Sequence, residues 1–342
     1  MKNFTSTDPT QLREQAEQRL RGVCERINSQ LYAVEDRIHA QARAFDPAVA
    51  DYVRYVTSSQ GKRLRSALTL FAAEATGPVS PAHVDLAVIL ELIHLASLVH
   101  DDIMDGAELR RARLTANAKW GSAISVLLGD CLFAHALTLA TGFDDREVTK
   151  RIAASANEVC SGEILQTQRR FDLSLSLSEY FRIIEMKTAA LFGSATELAG
   201  LINKASPREI VALKNFGLKL GSAYQIYDDC VDLAGSEDDA GKSLGTDFEK
   251  GKLTLPVLLL LQQHSGKELE KLHSMILHGT EDHFQKVATL ARDTGTLAGA
   301  ARTARQMIRQ ASEDMSWLPD GVGKDSLLAI GESVIDLLRQ FE

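Results

Sequence analysis

Two acidic clusters of identical spacing constrain this chain more than any other feature of its 342 residues. The first, Asp101, Asp102 and Asp105, ends the apolar run ELIHLASLVH that begins at Glu91. On a helix these three carboxylates sit at roughly 0°, 100° and 40° around the axis, so they share one face. They repel one another and lie at the negative pole of the helix dipole, so cations are needed to hold them together. Magnesium suits such a group better than calcium. It takes one or two carboxylates, keeps waters and adds phosphate oxygens from a substrate, whereas an all-protein calcium cage needs more oxygens and a loop to bring them. Arg110, Arg111 and Arg113 follow, and guanidinium forks pair bidentately with phosphate. Taken alone, this stretch reads more simply as a solvated helix end with internal ion pairs. A second cluster, Asp228, Asp229 and Asp232 in SAYQIYDDCVDLAG, repeats it after another apolar helical run. Two such clusters predict two carboxylate sites facing one cavity, with a metal-bound diphosphate between them.

The rest of the chain reads as helix after helix. Asp8 and Pro9 form an N-cap and first-turn pair. Leu20, Val23, Ile27, Leu31, Val34 and Ile38 then recur every three or four residues, predicting one amphipathic helix of about seven turns. Ser80 and Pro81 start the run through Leu86, Ile89, Leu90, Ile93 and Leu98 to the first cluster. Ser206, Pro207 and Glu209, a capping-box arrangement, start the run through Leu213, Phe216 and Leu220 to the second. Gly121 to Leu139, Phe284 to Leu290, Ala301 to Met307 and Leu327 to Leu338 also have helical period, and no alternating strand or hairpin pattern stands out. The expected fold is all-α, a single domain over residues 1–342 with no linker. The Gly-, Ser- and Asp-rich stretch from Ala234 to Lys252 is long for a connection and predicts a functional flap.

Composition narrows the partners. With 45% hydrophobic residues the chain can bury a large core, and a net charge of −8 argues against nucleic acid as a partner while leaving local basic groups to bind an anion. Cys24, Cys131, Cys160 and Cys230 lack paired or metal-ligand spacing and fall in apolar helical patterns, so buried free thiols in a reducing cytoplasm are expected. MKNFTSTDPT has no basic-then-apolar signal, and Leu86 to Val99 and Leu253 to Leu261 are too short or interrupted to span a bilayer.

GKRLR at Gly61 to Arg65, MKTAALF at Met186 to Phe192 and GKSLGTDFEKGKLTLP at Gly241 to Pro256 join the two aspartate motifs in one order. Together they resemble the trans-polyprenyl diphosphate synthases over roughly residues 50 to 260. The resemblance implies an all-helical fold around a deep central cavity, a homodimer, and a head-to-tail condensation of isopentenyl diphosphate with an allylic diphosphate. It also implies magnesium, about three ions per active site, acting as Lewis acids on the leaving diphosphate. Asp101, Asp105 and Asp228 would be direct ligands, with Asp102, Asp229 and Asp232 binding through water or orienting the others. Arg110, Lys187, Lys242 and Lys252 would hold the allylic diphosphate, and Thr188 and Gln225 would steady the site. Lys62, Arg65, His94 and Arg111 would bind the isopentenyl diphosphate.

Simpler roles stand beside these. A His such as His94 on an apolar helix is usually a satisfied core residue, the same holds for Gln225, and Lys242 and Lys252 could be ordinary loop charges. His100 beside the aspartates is not assigned as a base, because the released diphosphate can itself take the proton. Ser66 stands where a proline usually follows GKRLR, and Ala112 where a glycine usually follows the arginine pair. A class I terpene cyclase would not need GKRLR, His94 and the arginine pair, and a non-catalytic partner subunit tends to lose an aspartate motif.

The helix ahead of the first motif carries the expectation for product length. Ala96 and Ser97, one turn back, are small, and DDIMD carries no insertion. Ile93 and Leu90, about 12 to 16 Å down, are not obvious plugs. A product longer than farnesyl diphosphate is expected, of the quinone side-chain type, with geranylgeranyl diphosphate as the alternative. Ile152, about three turns before Glu163, is the candidate floor.

Overall fold

A computed structural model describes residues 9–59, 61–235 and 244–342, with side chains from residue 14 onward. Apart from one short hairpin, the regular structure among the described residues is helical, as the periodicity predicts. The N-terminal segment departs from expectation. It forms two helices, α1 (Pro9–Glu25) and α2 (Asn28–Ala40), instead of one. At the break the N–H groups of Arg26 and Ile27 bond three residues back, to Val23 and Cys24. Ile27 is 3% exposed, so the break puts an apolar anchor inside, and Asn28 and Ser29 are residue types with weak preference for a helix interior.

Next come α3 (Pro47–Thr57), α4 (Leu64–Thr76) and α5 (Pro81–Met104). Helix α5 is apolar almost all round, and it is buried to match, packing against α2, α4, α7 (Ser122–Ala140) and α10 (Ala190–Ile202). Between α5 and α6 (Ala116–Trp120), strands β1 (Leu109–Arg110) and β2 (Arg113–Leu114) pair antiparallel. No strand was expected here, because two residues are too few to show alternation. Arg111 and Ala112 make the turn at φ 52° and 59°, left-handed at both positions as a two-residue hairpin with matching twist requires.

Helices α8 (Arg146–Gln168), α9 (Leu177–Ile184) and α11 (Pro207–Ala234) complete the cavity wall. The predicted capping box of α11 is present, with Ser206 N–H donating to Glu209 at 2.7 Å. After the second cluster come α12 (Thr246–Glu249), α13 (Leu255–Gln263), α14 (Gly266–Leu277), α15 (Glu281–Asp293), α16 (Thr296–Asp314) and α17 (Val322–Leu338). Helix α16 packs on α11, and α17 bridges α4 and α1. Buried apolar residues form one continuous cluster from Ile27 to Phe341.

Two expectations about burial change. Cys230 is buried and Cys24 and Cys131 half-buried, but Cys160 is exposed, because it falls on the open side of α8. Both α5 and α7 are long and apolar enough by composition to cross a membrane; the most apolar window of α5 is 72% buried within the protein, that of α7 only 33%.

Candidate active site

A cavity of about 1560 Å³ opens beside the ends of α5 and α11, and both aspartate clusters reach it. This exceeds the roughly 300–1,000 Å³ of an ordinary small-molecule site. Asp101 lines it from the last turn of α5, and burial pushes its pKa up to about 6 against the opposing pull of Lys187. Lys187 is set by unusual backbone. Glu185–Ala189 forms a π turn between α9 and α10, a widened turn common at functional sites. The turn lies against Gly162 of α8, where a Cβ would come 2.5 Å from the Lys187 nitrogen. From there Lys187 Nζ pairs with Glu163, donates to Gln166 Oε1 at 2.8 Å and lies 4.0 Å from Asp101. Burial would lower its pKa, but Asp101 and Glu163 raise it, so it stays charged.

Asp102 is 5% exposed and takes both Arg110 Nε, at 2.8 Å, and Nη2, at 2.7 Å. Asp105, at the helix end, takes Lys252 Nζ at 2.9 Å and Arg170 Nη2 at 3.0 Å. Burial would raise its pKa, but Lys252, Lys187 and Arg170 together carry it below the usual carboxylate range.

Across the mouth, Asp228 lines the cavity from an exposed position. Asp229 is buried, accepting from Tyr180 Oη at 2.6 Å and Gln225 Nε2 at 2.9 Å, and its pKa is pushed up to about 7, burial being the main cause. Thr188 Oγ1 donates to Gln225 Oε1 at 2.8 Å, so these two residues steady the second cluster. Asp232, expected to bind metal through water or to orient the other ligands, lies off the cavity wall. It is 3% exposed, and its oxygens take Thr246 Oγ1 at 2.8 Å and Asp247 N–H at 3.1 Å, which anchors α12. Lys242 lies outside the described residues.

A second cationic group lines the cavity between α4, α5 and the hairpin, from Lys62, Arg65, His94 and Arg111. Arg65 stacks its guanidinium 4.8 Å from the Phe192 ring, and its buried Nε has no hydrogen-bond partner among the described residues, as a guanidinium awaiting an anion would. Burial, then Arg65 and Arg111, hold the His94 pKa well below its ordinary value, so the imidazole is neutral. Arg113 is not part of this group; it lies 4.6 Å over the Tyr55 ring and bonds to Ser58, because β2 turns it outward. Ser66 replaces the usual proline to effect, since its N–H and hydroxyl reach Glu91 Oε1 at 3.3 and 3.0 Å. The same Glu91 holds Arg63 at 3.2 Å.

Part of the wall is an apolar throat with Leu95, Leu98, Phe133 and Val159, beside which Val126 and Ile164 are exposed. Ser97 is part of it, but Ala96, one step round α5, is wholly buried and off the wall. Ile152, the expected floor, is likewise buried and off the wall; Val159, two turns nearer the mouth, lies on it, as do Glu163 and Ile164 of the same helix. Sequence reasoning missed Glu163, Gln166, Arg170 and Tyr180, whose roles arise only from contacts across long chain separations. Among the described residues no three Asp, Glu, His or Cys side chains converge to hold a bare ion. Magnesium, which keeps waters and takes phosphate oxygens, fits a site whose Asp101 and Asp228 share a cavity with Lys62, Arg65 and Arg111.

A cavity walled by helices and one hairpin, with two acidic clusters, two basic groups and an apolar throat, defines an enzyme that handles prenyl diphosphates. The sequence profile described as polyprenyl synthetase matches residues 46–292. Octaprenyl diphosphate synthase of Escherichia coli (strain K12) is 31% identical, covering 82% of this chain and 87% of its own. A short chain isoprenyl diphosphate synthase of Methanothermobacter thermautotrophicus is 32% identical, covering 82% and 88%. The crystal structure of polyprenyl synthase from Caulobacter crescentus CB15, complexed with calcium and isoprenyl diphosphate, superposes with a TM-score of 0.86 at 30% identity, covering 93% of this chain and 97% of that one. The chain belongs to the polyprenyl synthetase family and is a prenyltransferase.

Proposed function

We propose that this prenyltransferase is magnesium-dependent, works as a homodimer, and condenses isopentenyl diphosphate with an allylic diphosphate into an all-trans product longer than farnesyl diphosphate. One observation carries the length: α5 lines the throat through Leu95, Ser97 and Leu98 and puts no Phe, Tyr or Trp into it. The octaprenyl relative agrees, whereas the short-chain relative of equal similarity keeps geranylgeranyl diphosphate as the second reading.

Magnesium, when bound through Asp101, Asp105 and Asp228, supplies Lewis acidity to the departing diphosphate. Lys187, Arg110 and Lys252 bind that diphosphate and stabilise the charge it gains as the allylic C–O bond breaks, the electron pair leaving with oxygen. Lys242 is expected to join them. Lys62, Arg65 and Arg111 hold the second diphosphate, with neutral His94 orienting it, so that the homoallylic double bond faces the allylic carbon. New C–C bond formation is followed by loss of a proton to the released diphosphate, and no side-chain base is used. The apolar wall keeps water from the cation. The exposed Ile124, Leu127 and Leu137 on the thinly buried α7 support a subunit interface there.

Incubation with magnesium, farnesyl diphosphate and isopentenyl diphosphate, with products identified by mass, tests this reading. Chains of several added isoprene units are expected, and Ser97→Phe should shorten them. Ala96→Phe should instead mainly overpack the core, since that side chain does not line the throat. Failure to elongate farnesyl diphosphate would overturn the length assignment, and arrest after one addition would favour geranylgeranyl diphosphate.

A further inference from the structure

Asp105 is gripped from two sides. Lys252, which lines the cavity, holds Oδ2, and Arg170, which does not, reaches Oδ1 from behind the wall. Arg170 sits in the turn after α8, and among the described residues its buried Nε has no hydrogen-bond partner and its guanidinium pairs with one carboxylate, that of Asp105. The next residue is strained. Phe171 is a bulky side chain at φ 59°, in the left-handed region that such residues avoid. It is held there by its N–H, which donates to the Gly251 carbonyl at 2.7 Å, and by its ring, which fills the space where a Cβ on Gly251 would lie 2.5 Å away. Gly251 immediately precedes Lys252. The turn therefore ties the end of α8 to the segment that carries the other cation on Asp105, and backbone strain of this kind is retained where surrounding contacts enforce a functional geometry.

We infer that Arg170 is a positioning residue for Asp105, aiming the carboxylate into the cavity from behind while Lys252 exchanges its place on Oδ2 for the diphosphate and its magnesium. The inference rests on the diphosphate-and-magnesium reading of this site. Arg170 touches no substrate; it acts by keeping Oδ1 occupied, so that the oxygen presented to the cavity is Oδ2. Without it Asp105 can rotate and follow Lys252, and the ligand geometry is lost before metal arrives. Residues that orient metal-binding side chains typically alter metal affinity about 10- to 100-fold when removed.

The test is calorimetric and needs no turnover. Binding of inorganic diphosphate to the full-length protein is measured across a magnesium series for the wild type, Arg170→Gln, Arg170→Lys and Arg169→Gln. Arg169 is the neighbouring cation and lines the cavity, but it bonds to Asp172 and Glu179 instead of the cluster. Arg170→Gln should raise the magnesium needed for half-saturation about tenfold, with diphosphate affinity at saturating magnesium changed by less than about threefold. Arg170→Lys should recover part of the loss, and it serves alone if the Gln variant fails to fold. Arg169→Gln should leave the magnesium needed for half-saturation as in the wild type, since it does not touch Asp105. An unchanged magnesium requirement in the Arg170 variants, or an equal rise in Arg169→Gln, overturns the inference. Wild-type protein that binds no diphosphate at any magnesium level overturns the reading of the site itself, and this inference falls with it.

Discussion

Gly162→Ala asks whether the backbone around Lys187 matters as much as its charge. The added Cβ would sit 2.5 Å from the Lys187 nitrogen, 2.9 Å from its Cα and 2.9 Å from the Met186 Cβ. Two of these three neighbours are backbone, so no side-chain rotation relieves the clash, and α8 and the π turn must move apart by several tenths of an ångström. Overpacking of this kind costs about 1–3 kcal/mol. In a chain of this size that is a fall of a few degrees in Tm, at roughly 2–4 °C per kcal/mol. The effect on turnover should be larger. Lys187 is held between Glu163 and Asp101, and a shift of about 1 Å in a positioned group can reduce rate about a hundredfold. Gly200→Ala is the control, because its Cβ would be crowded by side-chain atoms alone, the Leu213 methyl at 2.8 Å with Ile210 and Ala205 at 3.7 and 3.8 Å, off the cavity wall. Steady-state kinetics and thermal melts of both variants decide the matter. If Gly162→Ala loses stability like the control yet keeps wild-type kcat, the π turn is packing and not placement.

Other expectations follow from the same geometry. Asp101→Asn should cut turnover by orders of magnitude without lowering Tm, since burial already disfavours that charge; full activity at low magnesium would refute its ligand role. Arg65→Ala should chiefly raise KM for isopentenyl diphosphate and Lys187→Ala chiefly weaken the allylic substrate, and equal effects on both substrates would contradict two separate sites. Ala112→Gly should stabilise the protein by about 1 kcal/mol, read by denaturant melts, because it relieves a left-handed non-glycine turn residue. His83 is buried, its Nδ1 accepting the Ser80 N–H at 3.0 Å and its Nε2 meeting the Ala199 carbonyl at 3.2 Å, and burial lowers its pKa. The unfolded chain therefore takes up the proton first, so stability should fall as pH drops below about 6.5. That slope should shrink in His83→Asn, as measured by melts between pH 5 and 7.

The helices were legible because their apolar period and caps are local properties, and Ser206 with Glu209 formed the cap its spacing predicts. What spacing could not supply was orientation. Ala96 and Ser97 are adjacent, but a rotation of about 100° puts one in the core and the other on the throat. Ile152 and Val159 lie on the same helix, and only the position of α8 against the cavity distinguishes them. Arg170 approaches Asp105 from 65 residues away, through a turn that no periodic pattern marks.

The two DDxxD motifs show the limit most sharply. Their spacing is the same, yet the final carboxylates have different work. Helix α5 stops at Met104, so Asp105 is the first residue past its end and its side chain turns into the mouth, where Lys252 meets it. Helix α11 continues to Ala234, so Asp232 remains inside the last turn, on the side where the chain returns, and receives the Asp247 N–H at the start of α12. A carboxylate at a helix N-terminus is favourable in its own right, since it satisfies N–H groups that lack partners and opposes the dipole. The third carboxylate of the second cluster therefore holds the segment that leads to Lys252. The place where each helix ends, more than the motif, determines whether its third aspartate turns into the cavity or onto the returning chain.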